Sequence, residues 1–280
     1  MTTTSLEAMG TTVVLHSSTE LGLERATTVF EESEQRFSRF RPTSELSEIN
    51  RHGKGGVAVS TEMQRVLTAA NELRARTHGL VDIGVGGAVR DWGYERTFSE
   101  ITDLAERPTV DLRSGWHLDG NTVYLDEGTA LDLGGVAKGW TSDRVVEDGH
   151  ATVASAGGDV RSSDPTLVVE ILDSHDAVAA EVHIGIGALA TSSRAKRRWN
   201  VASSEAHHII DPRTMRPAAS PIVSASVVAA TAVEAEAGAK AVLILGAEGL
   251  KWADEQPWIR QAVALWHDGT VYGNALKVAS

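Results

Sequence analysis

The stretch PIVSASVVAATAVEAEAGAKAVLIL, from Pro221 to Leu245, constrains this chain more than any other. Residues 221–230 are a long run of small and β-branched residues, the pattern of a buried strand. Thr231 follows, with Glu234 three residues later, which is a capping-box signature. Gly246 stands at the far end as a helix-stop candidate. The spacing predicts a strand passing straight into a helix over 232–245. On that helix Glu236 and Lys240 are four residues apart and share a face. They form either an ordinary i,i+4 pair, worth about 0.3–0.5 kcal/mol, or part of a working site.

The rest of the chain supplies strands and helices in irregular alternation. A strand is expected at 10–18, a helix at 19–40 and an exposed, turn-rich segment at 38–51. A second helix is expected at 61–79, with Gly79 as its C-cap. The stretch 81–95 is too rich in glycine for regular structure, and 98–120 reads as a polar insertion around a short helix. Then come strands at 122–125 and 129–135, a helix at 136–149, and a strand at 151–159 ending in a glycine turn. Segments 166–172, 179–185 and 187–193 read as consecutive antiparallel strands. Segment 206–212 reads as a strand stopped by Pro212, and two strands at 259–266 and 270–276 finish the chain. The pattern is α+β with mixed or antiparallel sheets and flanking helices, not a βαβ alternation.

Composition narrows the partners. A formal net charge of −12 disfavours nucleic acid and anionic membranes, which need clustered positive charge. The densest basic run, RAKRRW from Arg194 to Trp199, reads as a solvated loop. There is no cysteine, so no disulfide framework forms. No segment approaches the ~20 apolar residues of a membrane span, and the N-terminal stretch lacks a signal-peptide pattern. A soluble cytoplasmic protein is expected.

Four segments combine glycine with acidic or imidazole groups. VDIGVGGAVRDWG offers Gly84, Gly86 and Gly87, where backbone can approach a ligand; its spacing is not that of a dinucleotide fingerprint. LDLGGVAKGW places Asp132 at a strand end and Lys138 in the first turn of a helix. SAGGDVR sets Asp159 after a glycine pair. AHHIIDPRTMRP holds His208, a candidate general base, and Asp211. On one strand those two would face opposite ways, unless the turn at Pro212 re-aims Asp211.

In order, MGT, SRFRPTSELSEIN, VDIGVGG, LDLGGVAKG, AGGD, ALATSS and HHIIDPRT, followed by the alanine-rich helix ending LILG, resemble the ApbE-type FAD:protein FMN transferases over about residues 8–247. The resemblance implies one domain over 1–280, built as two interlocked lobes with an FAD cleft between them. It implies transfer of FMN from FAD to a serine or threonine hydroxyl of an acceptor protein with release of AMP, or hydrolysis of FAD to FMN and AMP. Carried over, Met9 and Phe40 line the flavin site, and Asp82, Ile83 and Gly84 approach the cofactor. Asp132 and Lys138 contact FAD, Ile210 packs on it, and His208 is the candidate base. The chain has no copy of the flavinylation motif D-G-x-S/T-G-A/S-T, so self-modification is not expected.

The resemblance also implies Mg²⁺, held by a backbone carbonyl at Gly135 and by an aspartate and a threonine or serine four residues apart on one helix. Counting from IIDP, those two positions hold Glu236 and Lys240. A protonated lysine has no lone pair for a metal. Either its ammonium replaces the ion, or Lys240 swings aside from a weakened metal site, or the site is inactive. Mg²⁺ and an ammonium within ~4 Å would repel by several kcal/mol at an effective dielectric near 20. Other departures are Ser193 and Ala195 in ATSSRA and Met215 where the family's DPRTG has glycine. A flavin-binding protein without metal-dependent transfer is the alternative.

Overall fold

A computed structural model describes residues 1–95, 100–108, 115–173, 177–195, 197–202 and 204–273. Strands β1 (Thr2–Ala8) and β2 (Thr11–Ser17) open it as an antiparallel hairpin. Met9 and Gly10 turn that hairpin with φ of 55° and 72°, the positive values a tight two-residue turn requires. Next come α1 (Glu20–Phe37), α2 (Glu45–His52), β3 (Val57–Ala58), α3 (Thr61–Arg76) and α4 (Gly86–Asp91). Strands β4 (Trp116–Asp119) and β5 (Thr122–Leu125) lead to α5 (Ala137–Glu147), then β6 (Val153–Ala156) and β7 (Asp159–Ser162). The strands β8 (Val168–Leu172), β9 (Val178–His183), β10 (Gly187–Ser193), β11 (Arg198–Val201), β12 (Ser204–His207), β13 (Ile210–Asp211) and β14 (Arg216–Pro217) follow. The chain closes with β15 (Ile222–Ala229), α6 (Ala232–Leu245), α7 (Gly249–Asp254), β16 (Ile259–Trp266) and β17 (Val271–Gly273).

The α+β class expected from the pattern is what the fold shows. The strand over 221–230 and the helix over 232–245 form, and the capping box closes in both directions at Thr231 and Glu234. Several expectations are corrected. The segment 38–51 is not simply exposed loop. Ser44 caps α2 by accepting from Ser47 N, and Leu46 and Ile49 bury one face. Within 81–95, α4 makes a short helix. Residues 129–135 form no strand, only a single parallel bridge between Val85 and Ala130, so Asp132 is not at a strand end. Beyond the glycine turn, Asp159 opens a new strand, β7. Strand β10 pairs with β7 and β15, while β8 and β9 pair only with each other. Segment 206–212 is broken at His208 and Ile209 into β12 and β13. Helix α3 ends at Arg76, where His78 N donates to Ala75 O and Gly79 N to Arg74 O. Gly79 therefore stands two residues past the Thr77 cap in a Schellman arrangement. The expected insertion at 98–120 and the last strand, at 270–276, lie partly outside the described residues.

Two compact units divide the chain. The first is Met1–Glu32, Lys138–Ala195 and the chain from Ala219 on. It holds an antiparallel eight-stranded sheet in the order β1-β2-β6-β7-β10-β15-β16-β17. Period-two alternation sorts its side chains. Ala188, Ala190 and Ala229 meet Ala232 and Ala235 of α6 on one face. Leu189, Val228 and Val263 meet the β8–β9 hairpin on the other. Alanines on both sides let α6 lie close, and Gly238 carries this furthest: a Cβ there would come within 2.8 Å of Val227 Cγ1.

The second unit is Ser33–Ala137 with Lys196–Ala218. It contains the β3-β5-β4 sheet, the β11-β12 and β13-β14 hairpins, and helices α2, α3 and α4. Ala88, Val89, Trp92, Tyr94, Trp199, Val201, Ala206, Ile210 and Met215 make one of its cores. Met215 takes φ of 53°, the left-handed conformation that glycine adopts freely. Its side chain is buried.

Candidate functional site

In the first unit, the first turn of α5, the start of β7 and the middle of α6 converge on one charge cluster. Lys138 Nζ donates to Asp159 Oδ2 at 3.0 Å and to Glu236 Oε1. The other carboxylate oxygens are also taken. Gly139 N donates to Glu236 Oε2 at 3.3 Å, and Thr191 N to Asp159 Oδ1 at 2.9 Å. The α5 turn reaches α6 because residue 139 is glycine. A Cβ there would stand 2.9 Å from the backbone of Ala232 and Val233.

Glu236 is 3% exposed and Asp159 8%. Such burial is tolerable only with paired charges. Burial alone would pull the Lys138 ammonium down, but Asp159 and Glu236 outweigh it and hold it above its ordinary value. Burial raises Asp159 above the usual carboxylate range, with Glu236 adding to the rise and Lys138 opposing it. For Glu236 burial is likewise the largest influence, yet Lys138 and Lys240 overcome it and lower the carboxyl. Glu236 thus feels the charge of two lysines, while Asp159 answers only Lys138.

A second buried pair supports the first. Asp143 of α5 accepts from Ala232 N at 2.8 Å and Val233 N at 3.0 Å, at the head of α6. Arg161 Nε donates to the same carboxylate at 2.8 Å. Arg161 Nη1 also donates to Ser162 O and Gly187 O. The carboxylate meets the unpaired N–H groups and positive end of the helix, and so sets the position of Glu236 and Lys240. Met9, in the β1–β2 turn, also belongs to this unit and is half-buried.

In the second unit, Asp82 is spent internally. Its Oδ1 accepts from Gly84 N and Trp116 Nε1, both at 2.8 Å, and its Oδ2 pairs with Arg74 Nε at 3.0 Å. Ile83 O accepts from Asp132 N at 2.7 Å, tying 82–84 to 131–132. Asn50 of α2 clamps Leu131 through both its backbone groups. Asp132 accepts from Gly134 N at 2.7 Å and pairs with Arg39 Nε at 3.0 Å. The Arg39 guanidinium lies 4.1 Å from the Phe40 ring centroid and 4.7 Å from that of Tyr94. Its Nη2 is buried without a hydrogen-bond partner among the described residues. Phe40 stays 37% exposed.

His208 stands edge-on to Tyr94, centroids 6.4 Å apart, and Ile210 is buried beside Tyr94. Asp211 does not join His208; it binds Arg213 Nη2 at 2.8 Å. Gly135 lies in the turn before α5. Sequence reasoning missed Arg39 and Tyr94. The available signal was their placement beside aromatic or turn residues in SRFRP and DWGYE.

The donors at Glu236 do not fit a divalent ion. Mg²⁺ takes oxygen ligands. Here the Lys138 ammonium bridges Glu236 and Asp159, backbone N–H groups meet their other oxygens, and Lys240 adds a second positive charge at Glu236. Among the described residues no group of three histidine, aspartate or glutamate side chains is placed to hold a metal. In contrast, an exposed aromatic ring under a guanidinium with a spare buried donor suits a planar, acceptor-rich ligand. No helix of the described residues is long and apolar enough to cross a membrane.

Comparisons with known proteins agree on one family. The family model described as "ApbE family" matches residues 9–263. The FAD:protein FMN transferase of Escherichia coli (strain K12) is 26% identical over 252 residues, covering 81% of this chain and 72% of the relative. That of Vibrio cholerae serotype O1 is 29% identical over 240 residues, covering 79% and 72%. In fold, the ApbE protein of Thermotoga maritima superposes with a TM-score of 0.84 at 24% identity, covering 98% of this chain and 97% of that one. The flavin transferase ApbE of Vibrio cholerae gives 0.76 at 24% identity, covering 98% and 97%. With a family match spanning most of its length, this chain belongs to the ApbE family.

Proposed function

We propose that this chain is a transferase that moves the FMN half of FAD onto a serine or threonine hydroxyl of an acceptor protein, releasing AMP. The observation that carries the reading is the family match over residues 9–263, together with curated relatives named FAD:protein FMN transferase. The acceptor oxygen bonds to the phosphorus of the FMN half. The bridging P–O bond to the AMP half breaks, and AMP leaves with its electron pair. The acceptor hydroxyl proton passes to a base, a role assigned to His208. Such chemistry depends on positioning and on positive charge at the phosphates. In the first unit Lys138 and Lys240 are assigned to that charge, and Met9 to the flavin. In the second unit the flavin is assigned to Phe40 and Ile210 and to the backbone at 82–84. Asp132 is assigned to FAD, with Arg39 holding its carboxylate.

The test is to incubate the full chain with FAD and an acceptor domain carrying the flavinylation motif, and to follow AMP and acceptor mass. An acceptor heavier by one FMN, with equal AMP, is expected. Bound but intact FAD would favour a second reading, a flavin-binding protein, which the lysine pair at Glu236 motivates. No FAD binding at micromolar concentration would sink both.

A further inference from the structure

Two lysines and two carboxylates form the cluster at Glu236, and their formal charges cancel. Lys138 bridges both carboxylates, and Lys240 adds its field from one helical turn further along α6. Each carboxylate oxygen already has an N–H donor. A divalent ion placed here would have to share carboxylates that the Lys138 ammonium already bridges, with Lys240 one helical turn away. It would also leave two uncompensated positive charges in a buried site, which is strongly unfavourable. A threonine at 240 would supply a neutral oxygen and leave the cluster one charge negative, ready for a cation.

We infer that the Glu236 cluster is closed to divalent cations, its carboxylates being bridged by Lys138, and that the Lys240 ammonium supplies, in place of an ion, the positive charge for a diphosphate substrate. The diphosphate part of this inference rests on the transferase reading; the closure to divalent ions does not. Lys240 is then the residue that makes this chain independent of metal. Lys138 holds Glu236 in place whichever residue stands at 240.

Mn²⁺, followed by the resonance of the free ion, tests closure on the full chain without flavin. Wild type is expected to leave the free Mn²⁺ signal at its buffer amplitude. The double variant Lys240→Thr, Glu236→Asp is expected to deplete it toward one ion per chain. Stoichiometric depletion by wild type overturns the inference, and so does a folded double variant that takes up no Mn²⁺. Should that variant not fold, Lys240→Gln decides through FAD fluorescence titration in EDTA. A weakening of at least about tenfold, as expected for a lost partly buried ion pair, supports the inference; unchanged affinity overturns it. Wild type that ignores both Mn²⁺ and FAD keeps the closure to metal but overturns the diphosphate role, together with the transferase reading.

Discussion

Asp143 and Arg161 meet at 2.8 Å inside the first unit, and the same carboxylate caps the head of α6 at Ala232 and Val233. One buried charge therefore joins α5, β7 and the helix that carries Glu236 and Lys240. Replacing it by alanine strands a buried guanidinium and two helix N–H groups. Asp143→Ala is expected to destabilise the chain by about 3–5 kcal/mol. Denaturant unfolding measures this, and a loss below about 1 kcal/mol would contradict the anchoring role.

Asp143 also carries a pH signature. Burial pushes its carboxyl up to about 6 from an ordinary 3.8, against the hydrogen bonds from Ala232 and Val233 and the charge of Arg161. A raised carboxyl means that the folded state holds the proton more tightly than the unfolded chain. Its contribution to stability is complete below the ordinary value and is lost as pH rises through about 6. The stability of wild type relative to Asp143→Asn should therefore decline between about pH 4 and pH 6. Parallel profiles for the two proteins would contradict the assignment.

Gly139 should not tolerate a side chain. A Cβ there meets the backbone of Ala232 and Val233 at 2.9 Å, and backbone cannot rotate away. Gly139→Ala is expected to cost about 1–3 kcal/mol and to shift Lys138 from Glu236. FAD affinity should fall together with the melting temperature. A variant as stable as wild type would show that the two helices separate freely.

Met215 sets two effects against each other. Glycine would relieve its left-handed backbone, worth roughly 1–2 kcal/mol. It would also empty a buried position packed with Trp92 and Trp199, where losing a methionine side chain costs about 2–5 kcal/mol. The cavity wins, so Met215→Gly should be less stable than wild type. A higher melting temperature in the variant would reverse that ranking.

Arg39 is expected to act through Asp132 and the Phe40 ring. Arg39→Ala removes the cation over both aromatic rings and one of the two hydrogen bonds to Asp132. FAD binding should weaken by about tenfold, with Arg39→Lys intermediate because lysine lacks the planar fork. Equal affinities in fluorescence titration would remove Arg39 from the binding surface.

Those parts of the molecule whose causes are local were legible in the sequence. The capping box at Thr231 and Glu234, the β-branched run at 222–229 and the shared face of Glu236 and Lys240 all follow from neighbours a few residues apart. Helix α2 was missed because its cap, Ser44, is a serine in a turn-rich stretch, and because only Leu46 and Ile49 mark its buried side. The ordered motifs also carried the family. Tertiary structure alone decided which charge answers Glu236. Lys240, one turn away, was the visible partner, while Lys138 lies 98 residues distant in sequence and makes the direct contact. Chain closure of that span depends on Gly139 meeting the backbone of α6 and on Asp143 capping it. Neither contact leaves a periodic or short-range signal, because each is set by how two helices pack on one sheet.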